Sequence, residues 1–406
     1  MPNPIKDKTI VLGVTGSIAA YKAAEIASKL HQQGAKVPTI LTEGALHFIS
    51  PLTFQSVSGD KSYTEADLWG GEGHVTHIGL GRAADLMLIA PVSANTLARL
   101  AHGLGDNLLS VTALASHCPL VLAPAMDSGM YDHPATQENV EILRKRGAIF
   151  IGPKSGHLAS GLIGPGRMSE PLEIVSCVRW VLGNSGPLAG KEVIVTAGGT
   201  QEPIDPVRII TNRSSGKQGY AVAQAALDAG AHVKLITCPT NLTAPYGAEV
   251  IKVHTAEEMY KAVLTATADA DVLIMAAAVA DFRPADVSSQ KIKKDHGGIT
   301  SLAFEPTTDI LAAVAETRQH TGFPHRVIGF AAETQSLLEN AAEKMTRKQL
   351  DMIVANNVSA PQTGFEYDTN QATLLFPSRP AEALPLMSKV DLADQIIARV
   401  IEWFAN

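Results

Sequence analysis

Cysteine, positive charge and long apolar runs are all scarce in this sequence. The three cysteines, Cys118, Cys177 and Cys238, are far apart and form no C-x-x-C pair. This excludes a disulfide framework and a cysteine zinc site, and it suits a reducing cytoplasm. The formal net charge of −7 argues against a general nucleic-acid binder. The longest apolar run, residues 272–280, is too short to span a bilayer, and the N-terminus has no signal-peptide core. We therefore expect a cytoplasmic protein without a membrane segment.

What is present reads as one pattern used twice. A chain of 406 residues with 46% hydrophobic and 18% charged residues predicts two globular domains. "TIVLGVTGSIAAYKAAEIASKLHQQGAKV" predicts strand, small-residue turn, helix and strand, and "KEVIVTAGGT" followed by "SSGKQGYAVAQAALDAGAHVKLITC" repeats that order. "ADLMLIAPVSAN" and "ADVLIMAAAVAD" are a second pair of similar segments, one in each half. We predict an α/β protein with two doubly wound, Rossmann-like domains and mainly parallel sheets, at 1–183 and 191–406, joined by a linker at 184–190.

The fingerprint of a dinucleotide enzyme is missing from both halves. Neither "GVTGS" nor "TAGGT" follows G-x-G-x-x-G, which argues against a nicotinamide cofactor. Small residues, most of them hydroxylated, instead follow the predicted strands of the first half, and such turns at helix N-termini favour a mononucleotide such as FMN. The alternative is that they are only N-caps and turn residues. The candidates are Thr15, Gly16, Ser17, Thr42, Ser93, Asn95 and Thr96.

Positive charge is concentrated in the second half. "KIKK" supplies Lys291, Lys293 and Lys294, and Lys344 and Lys348 share one face of a predicted helix. In an acidic protein this grouping would neutralise a triphosphate, and the alternative is a solvated basic face. "NRSSGKQG" lacks the spacing of a P-loop, and we do not predict one there.

Taken together, the motifs resemble one family over essentially the whole chain. "GVTGSIAAYK", "HIGLGRAADLMLIAPVSANT", "PAMDSGMY" and the glycine-rich "SGHLASGLIGPGRM" are similar to flavin-containing cysteine decarboxylases. "TAGGTQEPIDPVR", "NRSSGKQG", "AAAVADFRP", "KIKK" and "GFAAET" are similar to CTP-dependent ligases. In this order they resemble the bifunctional phosphopantothenoylcysteine decarboxylase / phosphopantothenate–cysteine ligase family of coenzyme A synthesis.

The resemblance implies two reactions and their requirements. The second half would join cysteine to 4′-phosphopantothenate through an acyl-cytidylate made from CTP, and the first half would decarboxylate the product with FMN and return the electrons, giving 4′-phosphopantetheine. It also implies Mg2+ with the nucleotide, through ligands that the sequence does not show, and a homo-oligomer with a trimer-based decarboxylase core and dimerising ligase domains. All partners would be small molecules, with no nucleic acid or membrane.

For the first half the resemblance implies four site residues. His77 matches the family's catalytic histidine, with His74 as the rival position. Asp127 stands where the family pattern has asparagine facing the substrate carboxylate; burial would raise its pKa and make it a neutral donor, whereas the alternative is a helix N-cap. The glycine-rich stretch matches a flap over the flavin, with Arg167 near an anionic group. Ser160 replaces the family's proton-donating cysteine, and His157 or a water would otherwise supply that proton.

For the second half the resemblance implies nucleotide and substrate contacts. Asn212 would hold the reacting carbonyl, with a simple turn residue as the alternative, and Arg208 would bind substrate. Phe330 would sit against the cytosine ring, the alternative being core packing. The family segment "NPDI" appears as "TTDI", so only Asp309 and Ile310 carry over. The nucleotide-binding residues implied in all are Ala277, Asp281, Lys291, Asp309, Ile310, Phe330, Lys344 and Lys348.

Two other functions stay open at this point. The substitutions at 127 and 160 would also suit an enzyme that keeps only the ligase, with an FMN-binding but impaired first half. A flavodoxin-like electron carrier is the other, although a carrier has no need of the lysine-rich second half.

Overall fold

A computed structural model describes residues 3–69, 75–293, 301–333, 337–357 and 367–405. They form two compact units, Pro2–Gly183 and Asn184–Asn406. No helix among the described residues is both long and apolar enough to cross a bilayer. Two positions weighed from the sequence, His74 and Lys294, lie outside the described residues.

The first unit is built around one parallel sheet. Its strands are β1 (Ile10–Val14), β2 (Thr39–Leu41), β3 (Ser62–Tyr63), β4 (Leu86–Val92), β5 (Leu120–Pro124) and β6 (Ile149–Phe150), followed by the hairpin strands β7 (Lys154–His157) and β8 (Ile163–Arg167). Its helices are α1 (Ala20–Gln32), α2 (Glu43–Leu46), α3 (Pro51–Ser58), α4 (Thr76–Ala83), α5 (Ala94–His102), α6 (Leu108–Ala115), α7 (Ser128–Tyr131), α8 (Pro134–Lys145) and α9 (Pro171–Gly183).

The second unit contains a longer, mixed sheet. Its strands are β9 (Glu192–Ala197), β10 (Gln201–Pro203), β11 (Ile209–Thr211), β12 (His232–Thr237), β13 (Glu249–Lys252), β14 (Val272–Met275), β15 (Phe282–Pro284), β16 (Phe304–Pro306), β17 (Arg326–Glu333), β18 (Met352–Asn357), β19 (Thr369–Asn370), β20 (Ala372–Leu375), β21 (Glu382–Ala383) and β22 (Met387–Ser388). Its helices are α10 (Lys217–Asp228), α11 (Ala256–Ala266), α12 (Ile310–Thr321), α13 (Leu337–Arg347) and α14 (Lys389–Glu402).

Both sheets are doubly wound, which confirms the predicted fold class. The first has the order β3-β2-β1-β4-β5-β6 with all pairs parallel. The second has the order β13-β12-β9-β14-β17-β18-β20-β21, and only its pairs β18–β20 and β20–β21 are antiparallel. In each sheet the chain reverses its direction of travel between two neighbouring strands, β1 and β4 or β9 and β14. Ligands of such sheets bind at the carboxyl ends of those two strands.

The apolar runs that predicted strands become the inner strands of these sheets. Every residue of β1, β4 and β14 is buried, as expected for parallel strands that helices cover on both faces. Leucine, isoleucine and valine side chains of these strands form the core with the apolar stripes of the flanking helices. These cores fix the two pairs of strands at which the chain reverses.

The amino-terminal ends of those strand pairs carry the same carboxylate contact in both units. Asp85 accepts hydrogen bonds from the backbone N–H of Thr9 at 2.8 Å and from Lys8 Nζ at 3.0 Å. Asp271 accepts from the N–H of Glu192 at 2.9 Å and from Lys191 Nζ at 3.1 Å. Partial burial works against ionisation of Asp85, but these bonds outweigh it and its pKa lies below the usual value. Each carboxylate joins the start of one strand to the start of its neighbour.

We expect Asp85→Ala to destabilise the first unit by about 1–2 kcal/mol at neutral pH, because the Thr9 amide and the Lys8 ammonium lose their acceptor. The folded pKa of Asp85 is lowered, so this stabilisation is complete above about pH 4 and is lost as the pH falls through the folded pKa. Calorimetric unfolding of the full chain at pH 7 and in acid measures the difference. The control is Glu141→Ala, which breaks an exposed pair on α8 and should cost less than about 0.5 kcal/mol. Equal losses for the two variants would contradict the assignment.

Candidate active sites

Three turns converge at the carboxyl ends of β1, β2 and β4 in the first unit. The Thr15 hydroxyl donates to the Pro91 carbonyl oxygen and accepts from the N–H of Ser93, both at 2.9 Å. A Cβ on Gly16 would lie only 3.1 Å from the backbone of Gly44, so these two turns touch. The structure therefore places the predicted turns after β1, β2 and β4 side by side.

The starts of the helices beside these turns differ in how they are capped. Ser93 caps α5 by accepting from the N–H of Thr96 at 3.3 Å, and its hydroxyl also contacts the Thr96 hydroxyl at 3.1 Å, as the N-cap alternative predicts. Among the described residues, no side chain caps α1 or α2. The Thr42 hydroxyl instead lies 3.4 Å from the Val14 carbonyl oxygen. The uncapped amides of α1, next to Gly16, fit the phosphate of a mononucleotide.

Ser17 and Asn95, the other candidates at these turns, keep polar groups near the surface. Ser17 Oγ accepts a hydrogen bond from the N–H of Ala19 at 3.3 Å, so it lies within the turn that leads into α1. Asn95 is exposed in the first turn of α5. Both therefore lie at helix starts beside the three turns, as predicted from the strand order.

His77 lies on α4 with one ring nitrogen unused. Its Nδ1 is buried and has no hydrogen-bond partner among the described residues. The Thr76 hydroxyl anchors the start of this helix by donating to the Asp67 carbonyl oxygen at 2.9 Å. A buried nitrogen without a partner fits a histidine whose partner is a bound group.

Asp127 and Ser160, the two positions that depart from the family pattern, contact each other. Asp127 caps α7 through Oδ1, which accepts from the N–H of Gly129 at 3.0 Å. Its Oδ2 accepts from the Ser160 hydroxyl at 2.6 Å, and this bond, followed by the Gly129 bond, lowers the pKa of Asp127. Asp127 is not deeply buried. The structure therefore contradicts the expectation of a buried carboxyl with a raised pKa, because hydrogen bonds to the charged form outweigh desolvation here.

The hairpin β7–β8 carries Ser160 at its tip and lies against the turn that holds Asp127. Gly166 O accepts from the N–H of Met126 at 3.0 Å, and a Cβ on Gly166, whose φ is 144°, would collide with the Met126 carbonyl oxygen. Only glycine allows this approach. His157, the alternative proton donor, is exposed at the end of β7. Glycine in the glycine-rich stretch thus lets the hairpin lie against the segment after β5.

Arg167, at the base of the hairpin, is already paired. Its guanidinium contacts Glu170 at 2.7 Å, and Glu170 also accepts two bonds of 3.0 Å from Lys22 of α1. The Lys22 bond is the largest cause of the lowered pKa of Glu170. Lys22 is 8% exposed, so Glu170 compensates a buried ammonium and ties α1 to the hairpin. An anion at Arg167 would therefore compete with Glu170.

The second unit has a cavity of about 650 Å³ at the carboxyl ends of β9, β14 and β17. Most of the residues predicted for the ligase half line it. They are Asn212, Ala277, Asp281, Asp309, Ile310, Phe330, Lys344 and Lys348.

Hydrogen bonds fix the loops on the two sides of the reversal point in this unit. The N–H of Ala277 donates to the Thr196 hydroxyl at 3.1 Å, and the N–H of Ala280 donates to the Thr200 hydroxyl at 2.9 Å. Asn212 Nδ2 donates to the carbonyl oxygens of Ala278 and Val279 at 3.3 and 3.2 Å. Asn212 therefore holds the loop after β14, which is more than a simple turn residue does.

Two lysines line the other side of the cavity: Lys344 on α13 and Lys348, which directly follows this helix. Lys348 is 8% exposed and forms an ion pair with Asp309, the N-cap of α12. Partial burial works against ionisation of Asp309, but the Lys348 bond outweighs it and the pKa of Asp309 is lowered. Lys344 Nζ donates to the Phe330 carbonyl oxygen at 2.9 Å, and the half-buried Phe330 lines the cavity. Lys348 is thus paired with a carboxylate, whereas the bond of Lys344 to a carbonyl oxygen leaves its charge in place.

Lys291 and Arg208, also predicted for this half, are not among the described residues that line the cavity. Lys291 is exposed. Arg208 contacts the buried carboxylate of Asp205 at 2.7 Å and the Ile292 carbonyl oxygen at 3.2 Å. Asp205 also accepts from the N–H of Ile292 at 3.2 Å, so the segment that carries Lys291 is bound to the loop before β11.

The cavity contains polar residues that sequence reasoning missed. A clue existed for Lys217, because Gly216, with φ of 75°, and Lys217 start α10 within the segment "NRSSGKQG". The segment was noted as a family motif, but its spacing is not that of a P-loop, and neither Lys217 nor Arg213 within it was singled out. For the more distant residues no local pattern indicates the cavity, and the tertiary fold alone brings them to it. The missed residues include Arg213, Lys217, Arg347, Asn356, Asn370 and Lys389.

Comparison with known proteins identifies a family region in each half of the chain. The profile of the family described as Flavoprotein matches residues 2–183, and that of the DNA/pantothenate metabolism flavoprotein C-terminal domain matches residues 188–404. The chain is 43% identical over 399 residues to the coenzyme A biosynthesis bifunctional protein CoaBC of Bacillus subtilis, covering 98% of this chain and 97% of that one. The chain belongs to the CoaBC family of bifunctional coenzyme A biosynthesis proteins. The resemblance noted from the sequence is thereby confirmed.

A second full-length relative and a solved structure of one domain are also similar to this chain. CoaBC of Mycobacterium tuberculosis is 42% identical over 410 residues, which covers 98% of this chain and 97% of the relative. A crystal structure of the C-terminal domain of a CoaBC protein is 36% identical, covers 54% of this chain and 99% of that one, and has a TM-score of 0.46.

We expect Ser160→Ala to make the hairpin tip several-fold more sensitive to a protease that cuts beside its leucines, because the contact between the tip and Asp127 is removed. In the unsubstituted protein the sensitivity should rise as acid protonates Asp127, since a carboxyl with a lowered pKa stabilises its contact with Ser160 most while it is ionised. Mass spectrometry of the fragments gives the rate. Ser56→Ala, which removes an exposed hydroxyl from α3, is the control. Identical cleavage of all three proteins would show that the contact does not hold the hairpin.

Proposed function

We propose that this chain carries out two steps of coenzyme A synthesis. The second unit ligates cysteine to 4′-phosphopantothenate through an acyl-cytidylate formed from CTP. The first unit decarboxylates the resulting 4′-phosphopantothenoylcysteine to 4′-phosphopantetheine with FMN. One observation carries the proposal: a single chain contains both family regions in order, and each has polar residues gathered where its sheet reverses.

The cavity of the second unit suits a nucleoside triphosphate. Phe330 offers a ring face for a base, and Asp281 offers an acceptor for a hydroxyl or amino group. The start of α10 and the lysines Lys344 and Lys348 provide positive charge for phosphates. A protein with a formal net charge of −7 thus presents a basic cavity to an anionic substrate.

Asn212 is placed to serve the reacting carbonyl of the acyl substrate. Its two hydrogen bonds to the loop after β14 lie at the long end of the normal range. Exchange of one of them for a substrate carbonyl oxygen would let the amide stabilise the charge that develops there, while the other keeps the loop in place.

The turns after β1, β2 and β4 of the first unit offer hydrogen-bonding groups for FMN. The uncapped amides of α1, the touching glycines 16 and 44, and the hydroxyls of Thr42 and Ser93 would hold the phosphate and its surroundings. When bound, FMN supplies the reversible electron uptake that the decarboxylation needs. The buried Nδ1 of His77, which has no partner among the described residues, is then available to hold a substrate proton at the thiol.

Asp127 and Ser160 would act on the last proton of this reaction as a pair. Ionised Asp127 only accepts hydrogen bonds, and it holds the hydroxyl proton of Ser160. A proton delivered through Ser160 would be replaced from solvent, because ionised Asp127 has no proton to give and serine alone is a weak acid.

Mg2+ and self-association complete the proposal. We propose that Mg2+ arrives with the triphosphate, and that the chain assembles with a trimeric decarboxylase core and paired ligase units. Sedimentation of the purified protein tests the assembly. Chelation of divalent cations should abolish pyrophosphate release, and added Mg2+ should restore it.

A single reaction mixture tests the main proposal. Purified protein receives phosphopantothenate, cysteine and CTP, and pyrophosphate and CO2 are followed separately. Release of both products supports two activities, and pyrophosphate without CO2 identifies a ligase-only enzyme. Release of neither product, or a preparation that never shows flavin absorbance, contradicts the assignment of the corresponding unit. ATP in place of CTP tests the choice of nucleotide.

We expect Ser160→Cys to raise the rate of CO2-coupled product formation, and Ser160→Ala to lower it, each on the order of 10²-fold, because a thiol is a far stronger acid than a hydroxyl. Mass spectrometry of 4′-phosphopantetheine formed per unit time gives the rates, and pyrophosphate release is the internal control because it belongs to the other unit. Equal product rates for serine, alanine and cysteine would remove residue 160 from the proton path.

A further inference from the structure

One end of the ligase cavity is built by the starts of two helices, α10 and α14. Lys217 is the first residue of α10, and Lys389 is the first residue of α14. Both line the cavity that also contains Asn212 and Asp281. Lys389 is only 6% exposed, so its long side chain is enclosed by protein and cavity. The reactions assigned above give no role to this buried lysine.

The backbone around Lys389 is held on both sides. Its N–H donates to the Asp368 carbonyl oxygen at 2.9 Å, and its carbonyl oxygen accepts from Gln218 Nε2 of α10 at 3.1 Å. Ser388 caps α14 by accepting from the N–H of Asp391 at 3.0 Å. Lys389 is therefore fixed relative to the first turn of α10.

The charges at this end of the cavity favour an anion. Burial, and then the positive charge of Lys217, lower the pKa of Lys389, while Asp368 works in the opposite direction. Asp368 is 86% exposed and forms a 2.6 Å ion pair with Lys217. Two ammonium groups and the positive end of the α10 dipole thus lie together at this end of the cavity, and Asp368 beside them is exposed to solvent. Burial of a cation next to another cation costs stability, a cost that binding sites accept because a ligand offsets it.

We propose that Lys389 binds a phosphate group of a ligase substrate, together with Lys217 and the first turn of α10. A lysine ammonium is a compact point charge that suits a phosphate, and the open amides of a helix start supply further donors. The inference rests on the ligase function proposed above, since that function supplies substrates with phosphate groups. Two sources have this chemistry, the triphosphate of the nucleotide and the phosphate ester of the acyl substrate.

The test replaces Lys389 by methionine, which keeps the length of the side chain and removes its charge. Isothermal titration with inorganic pyrophosphate, and separately with CTP and phosphopantothenate, measures binding to the full-length protein. We expect roughly 10- to 100-fold weaker binding of whichever ligand places its phosphate at Lys389, and a matching rise in KM for that substrate. Lys389→Arg should restore part of the loss. Lys261→Met, on the exposed face of α11, is the matched control and should leave all affinities unchanged.

Thermal unfolding separates this role from a structural one. A phosphate-binding lysine buried against Lys217 predicts that Lys389→Met leaves Tm without ligand unchanged or higher, while the rise in Tm caused by pyrophosphate shrinks. If Lys389 served only to hold Asp368 and α14, the variant would lower Tm and keep its affinities, and that result would overturn the proposal. Should the methionine variant fail to fold, Lys389→Gln is measured in the same way. Absence of turnover in the unsubstituted protein would refute the ligase assignment, whereas pyrophosphate binding still decides the role of Lys389.

Discussion

Within each unit, a threonine hydroxyl bridges the ends of the two neighbouring strands between which the chain reverses its direction of travel. The helices after β1 and β4, or after β9 and β14, leave toward opposite faces of the sheet, so a crevice opens between the strand ends. Thr15 and Thr196 close its floor by accepting from the N–H of Ser93 and Ala277. Both threonines are almost completely buried. Without the hydroxyl, each buried N–H would lose its partner, at a cost of about 1–3 kcal/mol.

On this shared frame the two units differ in the charge they present. The first surrounds its crevice with small hydroxyl and glycine turns and leaves the start of α1 uncapped. The second adds lysines from α10, α14 and the end of α13. A single phosphate is satisfied by amides and hydroxyls, whereas a triphosphate or two phosphorylated substrates need cations as well. The different residues around one topology therefore account for two different ligands.

The sequence was sufficient for features that repeat locally and insufficient for those made by distant contacts. Strand and helix patterns and the polar residues after β1, β4 and β14 could be predicted, because parallel strands bring their carboxyl ends to one edge. Lys389 could not, since nothing around it in the sequence indicates that α14 packs on α10. The contact of Ser160 with Asp127 was equally hidden, because it depends on how the hairpin folds back.

The expectation for Asp127 was wrong for a similar reason: contacts with distant residues decide its protonation. Asp127 was expected to gain a raised pKa from burial, but the bonds from Ser160 and Gly129 favour the ionised form. A family motif indicates which residue type stands at a position, whereas protonation and pairing follow from neighbours that the motif does not contain.

The contact between Asp127 and Ser160 also explains why these two residue types suit each other. A carboxylate can only accept hydrogen bonds, so a residue opposite it must donate, and a hydroxyl is a better donor than a thiol. Serine at 160 therefore gives Asp127 a strong partner, and Asp127 in turn holds the serine proton in a defined direction. The same bond weakens the pair as an acid, because the ionised carboxylate retains the proton that the reaction needs. In this chain, a stronger contact between the hairpin tip and Asp127 thus makes Ser160 a weaker proton donor. Substitution at position 127 or 160 changes both the contact and the proton transfer.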